Sequence, residues 1–282
     1  MKKIITLALA IVMILGCVMS FASCSKQELN FGKSFSALDG QMDVLIGLNA
    51  KTIDVGVMDS IMAGYYMSQD TTYANSLMIV EDLVLATEQY GIAARKGSGL
   101  TKKINAALIE LAKDGTVDTI AEKYGLTSEI CIDKNEEVEE LTADELVDWN
   151  YLVEEGKFIV GYTIFAPIAY EEDDTLIGFD IELAKAVAAK LELDVEFTVI
   201  EWSTKEAKLE AKAIDCIWNG MTITEEREAM MEVSIPYMNN KQVAVIRKAD
   251  AEKYATTADM ADAIVGAEDG SAGMSCVVKE DK

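Results

Sequence analysis

The chain has 282 residues, half of them hydrophobic, which is enough for two lobes with their own cores and excludes a disordered polypeptide. Its formal net charge of −24 argues against nucleic-acid phosphates and anionic lipid as partners. There is no histidine, so a Ser-His or Cys-His nucleophile pair and a His metal ligand are excluded within the chain, and no GxxxxGK[ST] phosphate loop occurs.

Residues 1–24, MKKIITLALAIVMILGCVMSFASC, open with Lys2 and Lys3, run apolar from Ile4 to Gly16 and end in small residues. That is the pattern of a secretory signal. Cys17 in ILGC and Cys24 in FASC both resemble the lipobox of bacterial lipoproteins, whose Cys becomes the lipidated first residue. Cys24 is the better match, because apolar character continues to Phe21 and the chain turns polar at SKQ. The alternatives are an ordinary cleaved signal or an uncleaved membrane helix. Cys131, Cys216 and Cys276 are far apart and match no metal spacing, and Cys216 reads as a small core residue.

In chain order, Leu38 to Leu48 recur at helical spacing, IDVGVMDS reads as a buried strand and IMAGYYMS as a helix. LMIVEDL and EQYGIAARKGS read as two strands, LTKKINAALIELAKDG as a long amphipathic helix, and TVDTIAEKYG as a shorter helix stopped by Gly125. Residues 128–145 are polar and acidic, the composition of a linker. ADELVDWNYLVEEGK then reads as helix, FIVGYT as strand, GFDIELAKAVAAKLELDVEFTVIEW as helix and strand, and AKLEAKA as helix. IDCIWNGM is a strand, TEEREAM a helix start, VAVIRKAD a strand, TTADMADA a helix, and IVGAEDGSAG a strand opening onto a turn. Strands alternating with helices indicate an α/β fold.

WNGMTITEER, residues 218–227, is the most informative stretch. A buried strand runs into Asn219 and Gly220, where the missing Cβ lets a ligand approach the backbone. Thr222 offers a hydroxyl, TEER opens a helix whose free N–H groups favour an anion, and Arg227 is able to grip a carboxylate with two parallel N–H bonds. The competing reading of Arg227 is a solvated or salt-bridged side chain on the first helical turn.

GMTITEER, preceded by IDCIWN and followed by IPYMNNKQVAV, resembles the signature of the family-3 extracellular solute-binding proteins, the polar amino-acid receptors of ABC importers. GYTIFAPIAYEEDDTLIGFDIELAKAVAAKLELDVEF resembles that family's opening segment, and IVGAEDGSAG its VGVQ-GS segment. Residues 38–125 resemble the remainder, ending in KYG. The order departs from the family: the segment that closes its members here comes first, and the acidic stretch bridges it to the segment that opens them. One complementary copy in reversed order implies circular permutation, with two fused truncated receptors as the alternative.

The resemblance implies a type II periplasmic-binding-protein-like α/β fold, two lobes joined by a two-strand hinge near Tyr90 and Val243. Lobe two would be residues 27–87 plus 247–282, and lobe one residues 88–246 with the acidic linker 128–145. Arg227 matches the residue that pairs with the ligand's α-carboxylate, helped by Thr222 and by backbone at Asn219, Gly220 and Met221. Asp59 matches the acceptor of the α-ammonium, although an N-cap for IMAGYY would also explain it. Ser271, Ala272 and Gly273 match the loop whose N–H groups meet the carboxylate. Phe165 sits where the family places an aromatic on the ligand side chain, Trp202 lies near it, and Trp218 precedes Asn219, although single aromatics in strands are usually core. The family's YPPF is FAPI here, so the pocket shape at Ala166 and Ile168 differs. Glu268 lies where a side chain reaches the ligand's distal end and would suit a cationic ligand, against the plainer expectation of a surface acid in so acidic a chain.

The function implied is an extracytoplasmic, lipid-anchored, monomeric receptor that binds a polar L-amino acid and delivers it to an ABC permease, with no catalysis, cofactor, metal or nucleic acid. The alternatives are a sensing or interaction lipoprotein on the same fold and a dehydratase-like enzyme.

Overall fold

The computed structural model describes residues 28–69 and 71–279. The expected signal, with Cys17 and Cys24, lies outside the described residues. The strands are β1 (Ser34–Leu38), β2 (Val55–Asp59), β3 (Leu77–Arg95), β4 (Lys157–Tyr162), β5 (Tyr170–Glu172), β6 (Thr175–Ile177), β7 (Asp194–Val199), β8 (Cys216–Thr222), β9 (Met231–Val233), β10 (Met238–Arg247) and β11 (Ile264–Glu268).

One sheet runs in the order β1-β11-β2-β10-β3-β8-β4-β7, with β9 also on β3, while β5 and β6 form a separate hairpin. Its two ends are built from parallel pairs: β1 with β11 and β11 with β2 at one end, β8 with β4 and β4 with β7 at the other. The antiparallel pair of β3 and β10 joins them. Leu77–Ile79 of β3 pair with Val245–Arg247, Ala86–Tyr90 pair with Met238–Gln242, and Tyr90–Ala94 pass on to β8. The fold is therefore α/β, two lobes joined by a two-strand hinge.

Each lobe is closed by helices whose apolar faces pack on the sheet. In one lobe, Ile104, Leu108 and Leu111 of helix Leu100–Lys113 share a core with Phe158, Phe179 and Val187. In the other, helix Gln41–Ala50 lays Val44 and Leu48 against β2 so closely that a Cβ at Gly56 would sit 2.3 Å from Val44 Cγ1. Cys216 is buried at the start of β8, and Cys131, Cys216 and Cys276 are all free thiols.

Several elements differ from the sequence reading. Ser34–Leu38 forms strand β1, so the helix begins at Gln41 rather than Leu38. The two strands expected from LMIVEDL and EQYGIAARKGS are one, β3, with a register shift opposite Gln242 and Val243. Thr71–Ser76 and Ala272–Val277 are helices that the reading left out. TTADMADA forms no helix: its backbone closes successive three-residue turns, Thr256 O to Asp259 N at 3.1 Å and Met260 O to Ala263 N at 2.8 Å. Met260 and Ala263 are thereby both buried against Tyr254 and Val265.

The acidic stretch holds only a short 3-10 turn, Thr127–Glu129, and is pinned to the hinge where Ile130 bridges Met238 and Cys131 N–H donates to Tyr237 O at 3.1 Å. A capping box, Thr142 with Glu145, then opens helix Ala143–Glu155. The two ends of the described chain lie side by side: Asn30 N–H donates to Val277 O at 2.7 Å and Lys279 N–H to Glu28 O at 2.9 Å.

One buried carboxylate fixes the turn at the end of β8. Asp180, in the first turn of helix Phe179–Leu191, accepts from Gly220 N–H and Tyr237 O–H on one oxygen, both at 2.9 Å. Its other oxygen and the Trp218 indole N–H are buried without a well-formed partner among the described residues. Burial pushes this carboxyl up to about 7, against the lowering effect of Tyr237 and Gly220. The folded protein thus holds a proton here that the unfolded chain, at about 3.8, has released. The stabilisation is full below that lower value and is lost as pH rises through about 7. Asp180→Asn, neutral throughout, is expected to flatten the loss of stability between about pH 4 and 7 by up to about 1.4 kcal/mol per pH unit. Urea unfolding of both proteins across that range checks it, and parallel slopes would contradict it.

Candidate functional site

Arg227 is set by the end of β8 and the short helix after it. Thr224 caps helix Glu225–Met230 by accepting from Arg227 N–H at 3.2 Å. That places Arg227, only 9% exposed, with its guanidinium back under the strand it follows. Nη1 donates to Thr222 O at 2.7 Å and Nη2 crosses to Gly270 O at 3.3 Å, on the other lobe. Lys205 makes a second crossing, from Trp202 O to Gly270 O, both at 3.2 Å, while pairing with Glu206 at 3.0 Å. Burial and the nearby Arg227 charge push the Lys205 ammonium down from its ordinary value.

Opposite Arg227, β2 ends in Asp59, also buried. Its carboxylate accepts from Gln41 Nε2, from Tyr90 O–H at 2.5 Å and from Asn240 Nδ2 at 2.5 Å. The same Asn240 amide reaches Glu88 Oε1, which also accepts from Gln242 Nε2 at 2.9 Å. Thr222 Oγ1 donates to the other Glu88 oxygen at 3.0 Å. Burial, then the Asp59 charge, raise the Glu88 carboxyl well above its ordinary range. Asp59 is not the cap of the following helix: the N–H of Ile61 points at Asn240 Oδ1.

Arg227 and Asp59 face one cavity of about 20 Å³ between the lobes, with Gln41, Thr163, Phe165, Trp202, Asn219, Gly220, Thr222, Glu268, Ser271 and Ala272 around it. That volume holds about one water, so an amino acid enters only with the lobes further apart. A groove of about 1150 Å³ adjoins it and shares Thr222, Arg227, Ser271 and Ala272.

Nine of the eleven expected ligand-binding residues therefore border one space: Asp59, Phe165, Trp202, Asn219, Gly220, Thr222, Arg227, Ser271 and Ala272. Met221 and Gly273 do not. Met221 is fully buried in an apolar cluster with Trp202 and Ile217, and a Cβ on Gly273 would press on Gln242 and Val57. Trp218 is also core, with no exposure. The Gly220 N–H is committed to Asp180 and the Thr222 hydroxyl to Glu88, so neither is free in this arrangement. Ser271 caps helix Ala272–Val277, accepting from Met274 N–H at 3.1 Å. Glu268 is not the surface acid that composition suggested. It ends β11 at 5% exposure, and burial and the Asp59 charge push it up to about 8 against the pull of Lys205.

The sequence reading missed Gln41, Glu88, Thr163, Lys205, Asn240 and Gln242. For Glu88, Asn240 and Gln242 the sequence shows only runs of consecutive polar residues, Thr87–Gln89 on β3 and Asn239–Gln242 on β10, with no alternation to tell which face is buried. Nothing in the sequence singles out Lys205.

Comparisons with known proteins each match part of the chain. Residues 158–281 match the family described as bacterial extracellular solute-binding proteins, family 3. The arginine-binding extracellular protein ArtP of Bacillus subtilis is 33% identical over 93 residues, 33% of this chain and 36% of that protein. The L-cystine-binding protein TcyJ of Escherichia coli is 29% identical over 119 residues, 42% of this chain and 45% of that protein. The chain thus spans less than half the length of these curated relatives. Among solved structures, the arginine-bound form of domain 1 from TmArgBP is 30% identical, over 36% of this chain and 88% of that one, with a TM-score of 0.31.

Gly220 tests how tightly the cavity wall is packed. Its φ of +60° opposes a side chain there, and so does the 2.7 Å that would separate an added Cβ from Phe165 Cε1. Gly220→Ala is expected to cost about 1–3 kcal/mol of stability. A urea midpoint equal to that of the native protein would show the wall to be looser than this.

Proposed function

This chain belongs to family 3 of the bacterial extracellular solute-binding proteins, and from that premise we propose that it binds a polar L-amino acid between its lobes and passes it to an ABC permease. The observation that carries the reading is the placement of Arg227 and Asp59, one buried cation and one buried carboxylate from different lobes, across a single cavity. An α-amino acid supplies the complement to both. Arg227 takes the α-carboxylate by charge-assisted hydrogen bonds, and Asp59 takes the α-ammonium. Thr222 and the backbone at Ser271 and Ala272 complete the grip, and Phe165 and Trp202 flank the side chain. Closure of the lobes about β3 and β10 is the motion. No step of bond making or breaking is assigned.

We read the chain as circularly permuted. The hydrogen-bonded neighbours Glu28 and Lys279 support this, since a segment continuous in an unpermuted chain would leave its cut ends adjacent. The lobes then comprise 27–87 plus 247–282 and 88–246. The receptor acts outside the cytoplasmic membrane as a monomer, anchored through a lipid on Cys24.

A calorimetric screen of the soluble chain against the twenty amino acids tests the reading. Arg227→Ala is expected to lose about 2–5 kcal/mol of affinity for whichever one binds, because the ligand carboxylate is left buried without its cation. Binding that survives Arg227→Ala unchanged would overturn the site.

A further inference from the structure

One hydrogen is claimed twice. Thr222 Oγ1 donates to Glu88 Oε2 at 3.0 Å, yet Thr222 also borders the interlobe cavity, where the grip proposed above needs its hydroxyl as a donor. A hydroxyl carries a single hydrogen, so it serves the ligand only when Glu88 supplies the hydrogen of their shared bond. Glu88 is not part of that cavity's wall. It sits half-buried on β3 and lines the adjoining groove of about 1150 Å³, from which a solvent proton reaches it.

The surroundings of Glu88 favour a carboxyl that holds a proton. Asn240 Nδ2 lies 2.5 Å from Glu88 Oε1 and 2.5 Å from Asp59 Oδ1, so two carboxyl groups crowd one amide nitrogen. Like charges held this close disfavour ionisation of both. Facing Glu88 are Asp59 from β2, Asn240 and Gln242 from β10, Thr222 from β8, Arg227 from the helix after it, Cys276 from helix Ala272–Val277 and Tyr90 on its own strand. The donors bonded to the two carboxyls are amides, a phenol and a hydroxyl, with no ammonium or guanidinium among the described residues. Asp59 is held by the amides of Gln41 and Asn240 and by the Tyr90 phenol. Glu88 Oε2 instead meets an aliphatic hydroxyl, which accepts as readily as it donates. The proton therefore belongs on Glu88, whose carboxyl is pushed up to about 8 by burial and then by the Asp59 charge.

We propose that Glu88 is a positioning residue for ligand binding, and that an amino acid bound in alkaline solution takes up a proton there. With Glu88 ionised, the Thr222 hydrogen points at Glu88. With Glu88 protonated, the carboxyl O–H donates to Thr222 Oγ1, and the threonine hydrogen turns into the cavity to meet the ligand carboxylate. The ligand ammonium falls on the Asp59 side and its carboxylate on the Thr222 side, so their charges oppose each other at Glu88 and the hydrogen-bond exchange sets the direction. The inference rests on the receptor reading and adds to it a residue that the ligand never touches.

The test is calorimetry of the purified protein with each of the twenty L-amino acids that binds, in buffers of different ionisation enthalpy. At about pH 6.5 Glu88 keeps its proton with and without ligand, whereas at about pH 8.5 the free protein has largely lost it. Proton uptake is therefore expected at the higher pH, with affinity falling by up to about tenfold per pH unit above about pH 8. The ligand ammonium and Glu268 titrate in the same range, so the reference is Glu88→Gln, whose amide donates to Thr222 Oγ1 at every pH. That variant is expected to lose the Glu88 share of the uptake and to flatten the profile. Thr222→Val, which lacks the hydroxyl, makes the same comparison should Glu88→Gln fail to fold. A readout free of ligand is the infrared band of a protonated carboxyl, expected in native protein at about pH 7, lost as pH rises through about 8 and missing from Glu88→Gln. Equal uptake in the native protein and the variants, or no such band, overturns the role of Glu88 and leaves the receptor reading standing. Failure of all twenty amino acids to bind overturns both.

Discussion

The architecture depends on the side chain of one asparagine. Asn240 has four hydrogen-bonding positions and all four are used: Nδ2 donates to Asp59 and to Glu88, and Oδ1 accepts from the Ser60 hydroxyl and the Ile61 N–H. It thereby ties β10 to the end of β2, to the start of the helix after it and to β3. Asn240 is itself fully satisfied and bridges two carboxylates without a buried cation, while Gln242, which also donates to Glu88, keeps a buried Oε1 with no partner among the described residues. The central sheet is thus crossed by a polar seam at the two strands that join its ends.

The seam also explains why the two sides of the cavity answer to each other. Thr222, on the Arg227 side, donates a hydrogen bond to Glu88, and Glu88 shares Asn240 with Asp59 on the far side. Gly270 O gathers the second set of links, since both Arg227 and Lys205 reach it across the cleft. On the proposed reading, an amino-acid carboxylate arriving at Arg227 would compete with that carbonyl for the same guanidinium, and its binding energy would include the exchange of one buried hydrogen bond for a stronger, charge-assisted one.

Much of this was legible in the sequence where the signal is local. Helix Thr116–Tyr124 ends at Gly125 in the left-handed conformation that a C-terminal glycine supplies, and β2, β4, β7 and β8 fall where strands were read, β4 and β8 each reaching one residue beyond the stretch named. Most of the expected site residues gather because a motif carries its own geometry. What failed was decided at long range. TTADMADA has helical composition, but Thr256 and Asp259 bond each other's backbone and buried Met260 and Ala263 hold the segment in turns. β1 is five residues long and owes its existence to the register of Leu38 beside Glu268 on β11. The same pairing buries Glu268, and composition cannot reveal which acid out of 49 will end a strand facing a cleft.

The adjacency of the chain ends has a mechanical consequence. On the proposed reading, in which Cys24 carries a lipid, three residues lie between the anchor and Glu28, and the span from Cys24 to Glu28 would be at most about 14 Å when fully extended. Glu28 is bonded to Lys279, at the end of the chain that also carries β11, so the lobe with β1, β11 and Asp59 would be held close to the bilayer as the fixed jaw. The lobe bearing Arg227 and Phe165 would then be the arm that moves, and the length of the tether, rather than any residue of the cavity, would set how far from the membrane it does so.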